Sequence, residues 1–194
     1  MAMTQFPNGV TSFGVPVMGG GVIIPPTTGR YIFVDSVTGS NSNTGADRDH
    51  PVATVFYAAS LCTANKGDVV ICMPGHAETV TVTITPVAGS TIIGLGSGRN
   101  RPVFTAGTGA IDTFTISAAN VTLQNIVIVG AASGVTALIE ISGTYPKFVG
   151  IELQRIELLH QRLVLRHGDL FVVHHPFTTR QNGVESPMDE HAEP

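Results

Sequence analysis

The chain has 194 residues, 43% of them hydrophobic, and a net charge of −4; this suits one folded domain and excludes intrinsic disorder. Charged residues make up only 12%, with 22 Gly, 12 Pro and no Trp, a composition foreign to helical bundles and coiled coils. The ten basic residues are scattered and outnumbered by fourteen acidic ones, which speaks against a nucleic-acid partner.

Residues 1–146 carry five basic and seven acidic side chains, and residues 147–194 carry the same numbers in a third of the length. The charge pattern therefore divides the chain at 147. No apolar run reaches the roughly 18 residues of a membrane span, so no membrane partner is expected. Met1-Ala2-Met3-Thr4-Gln5 lacks the basic and apolar regions of a signal peptide, so folding in a cytosol is expected. Cys62 and Cys72 fit neither a disulfide framework nor a metal knuckle and read as small buried side chains.

In chain order, residues 1–29 hold six Gly and four Pro without periodicity and read as an extended arm. Its apolar residues, Phe6, Pro7, Val10, Phe13, Val15 and Val17 among them, are spaced as anchors for a neighbouring subunit or for the arm's own domain. Tyr31–Val34 reads as a strand and 36–50 as a polar loop. A helix over 51–63 follows, with Asp49 or His50 as N-cap and Pro51 in the first turn. Val52, Val55, Phe56, Ala59 and Cys62 give it one apolar stripe.

Short β-rich segments then begin at Val69, Val80, Thr91, Pro102 and Thr113, eleven residues apart, separated by Gly-rich turns. Taken two segments at a time, the period is 22. At that spacing Val70, Ile92 and Phe114 align, as do Val82, Phe104 and Ile126. Two apolar ladders at a fixed period predict a parallel β-solenoid whose repeats bury their faces against each other. The helix would cover its open end. Beyond 147, Phe148–Leu159 alternates as a further coil would, although Ile151–Leu165 also has partly helical spacing.

The stretch from Phe33 to Gly75 contains Thr44-Gly45, His50-Pro51, Ala58-Ala59, Gly67-Asp68, Val69–Met73 and Pro74-Gly75 in order. It resembles the entry of the pectate-lyase-like right-handed β-helix superfamily, and Val121–Val129 with Asn125 resembles one of its coils. The likeness implies a mainly β fold: a short right-handed parallel β-helix over 30–146, an N-terminal capping helix over 51–63, an arm over 1–29, and a capping or subunit-contact segment over 147–194. Phe6–Gly14 is similar to the N-termini of tailed-phage virion structural proteins. That second likeness implies a capsid decoration or cement protein, packed as a homotrimer and bound to the major capsid protein. It would be located in the virion and assembled in the host cytoplasm. The alternative it leaves open is a tail-spike or receptor-binding module for a surface glycan.

Catalysis is not expected. Lyase chemistry in this superfamily needs a carboxylate cage for Ca²⁺ and a nearby base, and glycoside hydrolysis needs paired carboxylates. Between 69 and 146 the acids are Glu78, Asp112 and Glu140, at spacings that do not stack at period 22. Asp47, Asp49, Asn41 and Asn43 lack the ligand density of a strong Ca²⁺ loop, and His174-His175 lacks a third metal ligand. Gly94–Gly98 has no following helix to bind phosphate. No cofactor, metal or small-molecule substrate is therefore expected. Arg99 and Arg101, beside a Gly-rich turn, face either an acidic partner or water.

Overall fold

A computed structural model describes residues 10–12, 15–17, 24–107, 111–130 and 137–155. In chain order its elements are β1 (Val10–Ser12), β2 (Val15–Val17), β3 (Tyr31–Val34), α1 (Val55–Leu61), β4 (Val69–Cys72), β5 (Ala77–Val80) and β6 (Thr91–Gly94). There follow a single 3-10 turn (Gly98–Asn100), β7 (Val103–Ala106), β8 (Phe114–Ile116), β9 (Thr122–Gln124), β10 (Val127–Gly130), β11 (Ile139–Ile141), β12 (Lys147–Val149) and β13 (Glu152–Arg155).

The strands from β3 onward pair in parallel and wind into a β-solenoid of about three turns. It has three faces. One is a five-stranded sheet in the order β12-β9-β6-β4-β3, the second a four-stranded sheet in the order β13-β10-β7-β5, and the third pairs β11 with β8. Ile84 extends the third face as an isolated parallel bridge to Phe114.

Alternate residues of a strand point to opposite sides, so each sheet sends one row inward. On the five-stranded sheet the inward row is Ile32, Val70, Ile92, Leu123 and Phe148. On the four-stranded sheet it is Glu78, Phe104, Ile128 and Leu153. On the third face it is Ile84, Phe114 and Ile139. These rows meet in one apolar core. Phe104 and Phe114 touch edge to face at its centre, with ring centroids 5.3 Å apart and planes at 74°, a favoured aromatic geometry.

The coil has three strands where the eleven-residue spacing implied two. Its length is also uneven: Val69 pairs with Thr91, Thr91 with Thr122, and Thr122 with Lys147. Val70 and Ile92 are adjacent in one ladder, and the next member is Leu123 instead of Phe114, which lies on the third face. Phe104 and Ile126 are fully buried, but Val82 is 52% exposed. Val82 falls in the bend between β5 and Ile84, where the chain turns a corner that a two-stranded coil would not have.

The helix is shorter than the sequence implied. Val52 bridges to Val34, its N–H bonding to Phe33 O and its carbonyl accepting from Asp35 N–H. That pairing keeps Pro51-Val52 extended, so neither Asp49 nor Pro51 caps the helix. Thr54, in β-region dihedrals, is the N-cap, and its hydroxyl accepts from the Tyr57 N–H at 3.2 Å, as N-caps do. Starting at Val55 puts Val55, Ala58 and Ala59 inward and leaves Phe56 45% exposed. The helix packs against β3 and β4. At its start, Glu78 of the edge strand β5 accepts the Val55 N–H at 2.8 Å.

One corner recurs in successive coils. Asn65, Gly89, Asn120 and Tyr145 all adopt positive φ just ahead of the strands of the five-stranded sheet. At the other end of that sheet Asn125, at φ 54°, bonds through Nδ2 to the carbonyls of Gly94 (2.8 Å) and Gly96 (3.0 Å). A Cβ on Gly94 would lie 2.2 Å from the Asn125 oxygen, so only glycine lets the two corners stack this closely.

The expected break at 147 falls inside a coil: β12 and β13 pair with β9 and β10 in continuous register. The remainder of the 147–194 segment lies outside the described residues.

Candidate interaction groove

Corners set the chemistry of this fold, because strand interiors are committed to ladders. The chain passes from the five-stranded to the four-stranded sheet in two residues at Asn125-Ile126 and again at Gly150-Ile151. Between β6 and β7 the same passage takes residues 95–102. The added residues form the 3-10 turn and carry both Arg99 and Arg101.

Arg101 is fixed from several sides. Its Nη1 donates to Glu152 Oε2 at 2.8 Å, and its Nη2 donates to Ile126 O at 3.0 Å and to Gly150 O. Its Nε is buried without a partner. Glu152 also accepts from Gln154 Nε2 at 2.7 Å. Among the described residues Arg99 has no partner. These residues, with Gly98, rim a groove of about 430 Å³ whose floor is Val103 and Val127, outward-facing members of β7 and β10. The site thus joins an apolar floor, a pinned guanidinium and a free cation.

A second polar cluster sits at the helix-capped end. His76 is fully buried, its Nε2 lying 3.2 Å from Glu78 Oε2 and its ring 5.5 Å from Phe104. The same carboxylate oxygen holds the helix start. Burial works against ionisation of Asp35, yet bonds from the Val37 N–H and the Thr38 hydroxyl, with His76 nearby, leave its carboxyl below the ordinary range. At the other end of α1, Asp68 bonds to the N–H groups of Arg30 (2.7 Å) and Thr63 (2.7 Å). These acids hold the fold together at chain junctions.

Other residues singled out from sequence are dispersed. Asp112 precedes β8, and Glu140 lies on β11 opposite Thr115. Asp47 bonds to the His50 ring and N–H, which lowers its pKa, while Asn41 Oδ1 accepts from the N–H groups of Ala53 and Thr54. Among the described residues no three His, Cys, Asp or Glu side chains stand together as a metal site, and no helix is long and apolar enough to cross a membrane. Burial pushes the Cys62 thiol up to about 11, and burial of the wholly enclosed Cys72 raises its thiol well above the ordinary value.

Of the expected anchors, Val10, Val15 and Val17 lie in the antiparallel pair β1–β2, with Val10 opposite Val17. Phe6, Pro7 and Phe13 lie outside the described residues. Residues 24–30 bind this chain's own solenoid. Thr27 Oγ1 donates to Gly67 O. Ile24 is buried against Val69, Ile71, Met73, Ile93 and Leu95 on the outer face of the five-stranded sheet. Residues 24–29 of the segment expected as an anchoring arm over 1–29 thus lie on this chain's own solenoid. Sequence reasoning missed this outer apolar layer, although the unbroken Val69–Met73 run, apolar at both parities, is its signature.

No protein-family model matches the chain, and no curated protein matches it. Among solved structures it is similar to a rhamnogalacturonan lyase, with 19% identity and a TM-score of 0.52 over 66% of this chain and 36% of that one. The chain thus spans about a third of that structure's length. The likeness carries the fold alone, a parallel β-solenoid.

Proposed function

We propose that this chain is a structural protein of a tailed-phage virion, a capsid decoration or cement protein that binds the shell without catalysis and assembles as a trimer. The observation that carries this reading is the apolar outer layer sealed by Ile24. A chain end that beds side chains onto a sheet in cis uses the contacts that an anchoring arm needs in trans. The low share of charged residues suits a protein whose surfaces are covered in an assembly.

The test is quantitative. On purified particles a decoration protein is present in hundreds of copies. Deleting residues 1–23, which stops short of Ile24, is expected to leave a folded β-rich protein that no longer attaches. Normal attachment of that variant, or a copy number in the tens, overturns the reading. Cleavage of an acidic glycan by the purified chain overturns its non-catalytic part.

A further inference from the structure

The groove on the four-stranded sheet holds a cation that the fold does not use. Among the described residues Arg99 has no partner, whereas Arg101 has both terminal nitrogens occupied and its Nε buried out of reach of the groove. Glu152 is already neutralised by Arg101 and engaged by Gln154, so Arg99 sets the uncompensated charge of the rim. The floor is two valines.

We propose that this groove is a docking site for an acidic side chain, Asp or Glu, on the surface of a partner protein; the inference rests on the reading of this chain as a shell-bound structural protein. A guanidinium matches a carboxylate with two parallel N–H donors, and such charge-assisted pairs are directional as well as strong. The bonds that Arg101 donates to Glu152, Ile126 and Gly150 hold that side of the rim in place before any partner arrives. An apolar floor inside a polar rim is the anatomy of a protein interface. The lining includes no aromatic side chain, whereas small-ligand clefts rely on aromatic walls. That difference favours a protein partner over a glycan.

The experiment is a titration of the ¹⁵N-labelled full chain with a hexaglutamate peptide, a hexaglutamine peptide and tetragalacturonate, read by chemical shift. Hexaglutamate is expected to shift the resonances of 98–103, Val127 and 152–154, and hexaglutamine to leave them in place. Arg99→Ala, at a site that bears no fold contact, is expected to weaken the response about fivefold, and added salt to suppress it. Shifts with tetragalacturonate but not hexaglutamate, equal shifts with hexaglutamine, or no shifts at all would each overturn the inference. Particle binding separates the two readings: if Arg99→Glu attaches as well as the parent chain, the groove is not the docking site and the shell-bound reading stands.

Discussion

The two larger sheets of this solenoid are built from the same coils, yet their outer faces differ. On the five-stranded sheet Ile71 and Ile93 are wholly buried beneath an apolar layer that includes Ile24. On the four-stranded sheet Val103 and Val127 floor a groove that opens beside Arg99, an arginine without a partner among the described residues. The inner faces follow one rule, apolar residues at every second position, with Glu78 on the edge strand β5 as the exception. The outer faces are free to diverge, because nothing in the winding of the coil depends on them. One has been used to tie down the start of the chain, and the other remains available for recognition.

Mutations can break this comparison at graded cost. The largest effect belongs to the core that both sheets share: Phe104→Ala is expected to lose about 3–5 kcal/mol in chemical denaturation, since it removes a buried ring and leaves a cavity. A loss below about 1 kcal/mol would mean that the inward ladder is assigned wrongly. Next comes the contrast between the outer faces. Ile24→Ala should cost about 2–3 kcal/mol, and Val103→Ala less than about 1 kcal/mol; equal costs would erase the distinction between a sealed face and an open one. The smallest effect is kinetic. Because the raised Cys62 thiol titrates near 11, its alkylation should be slow at neutral pH and accelerate as pH climbs toward that value. Cys72, enclosed beneath the sealed sheet, should react only when the coil opens. Fast labelling of Cys72 in the native protein would show that this sheet is not the tighter of the two.

Much of this was legible in the sequence because solenoids write themselves as spacing. The regular starts at Val69 and Thr91 fall on the stacked strands β4 and β6, with Val70 and Ile92 as ladder neighbours, whereas the start expected at Val80 is where β5 ends. The third face was illegible because its contributions are so short: a single bridged residue at Ile84 and three residues each in β8 and β11. The helix start was misread for a local reason. His50-Pro51 has the chemistry of a cap, but a long-range bridge between Val52 and Val34 claims the backbone first. The groove was half visible. Arg99 and Arg101 stand out beside their glycines, but the Glu152 partner of Arg101 lies 51 residues away. Only the winding of the coils brings the two together.

Arg101 has a consequence for how the molecule comes apart. In an idealised repeat protein each unit feels only its immediate neighbours, so unfolding can begin at one end and spread unit by unit. Arg101 enters β7, yet it grips the corner that leads into β10 and, one coil further, both Gly150 and Glu152 at the start of β13. It couples units that are not adjacent. Fraying of the coil that holds β13 must therefore release a contact made two coils back, which pushes the solenoid from sequential unzipping toward a single cooperative transition.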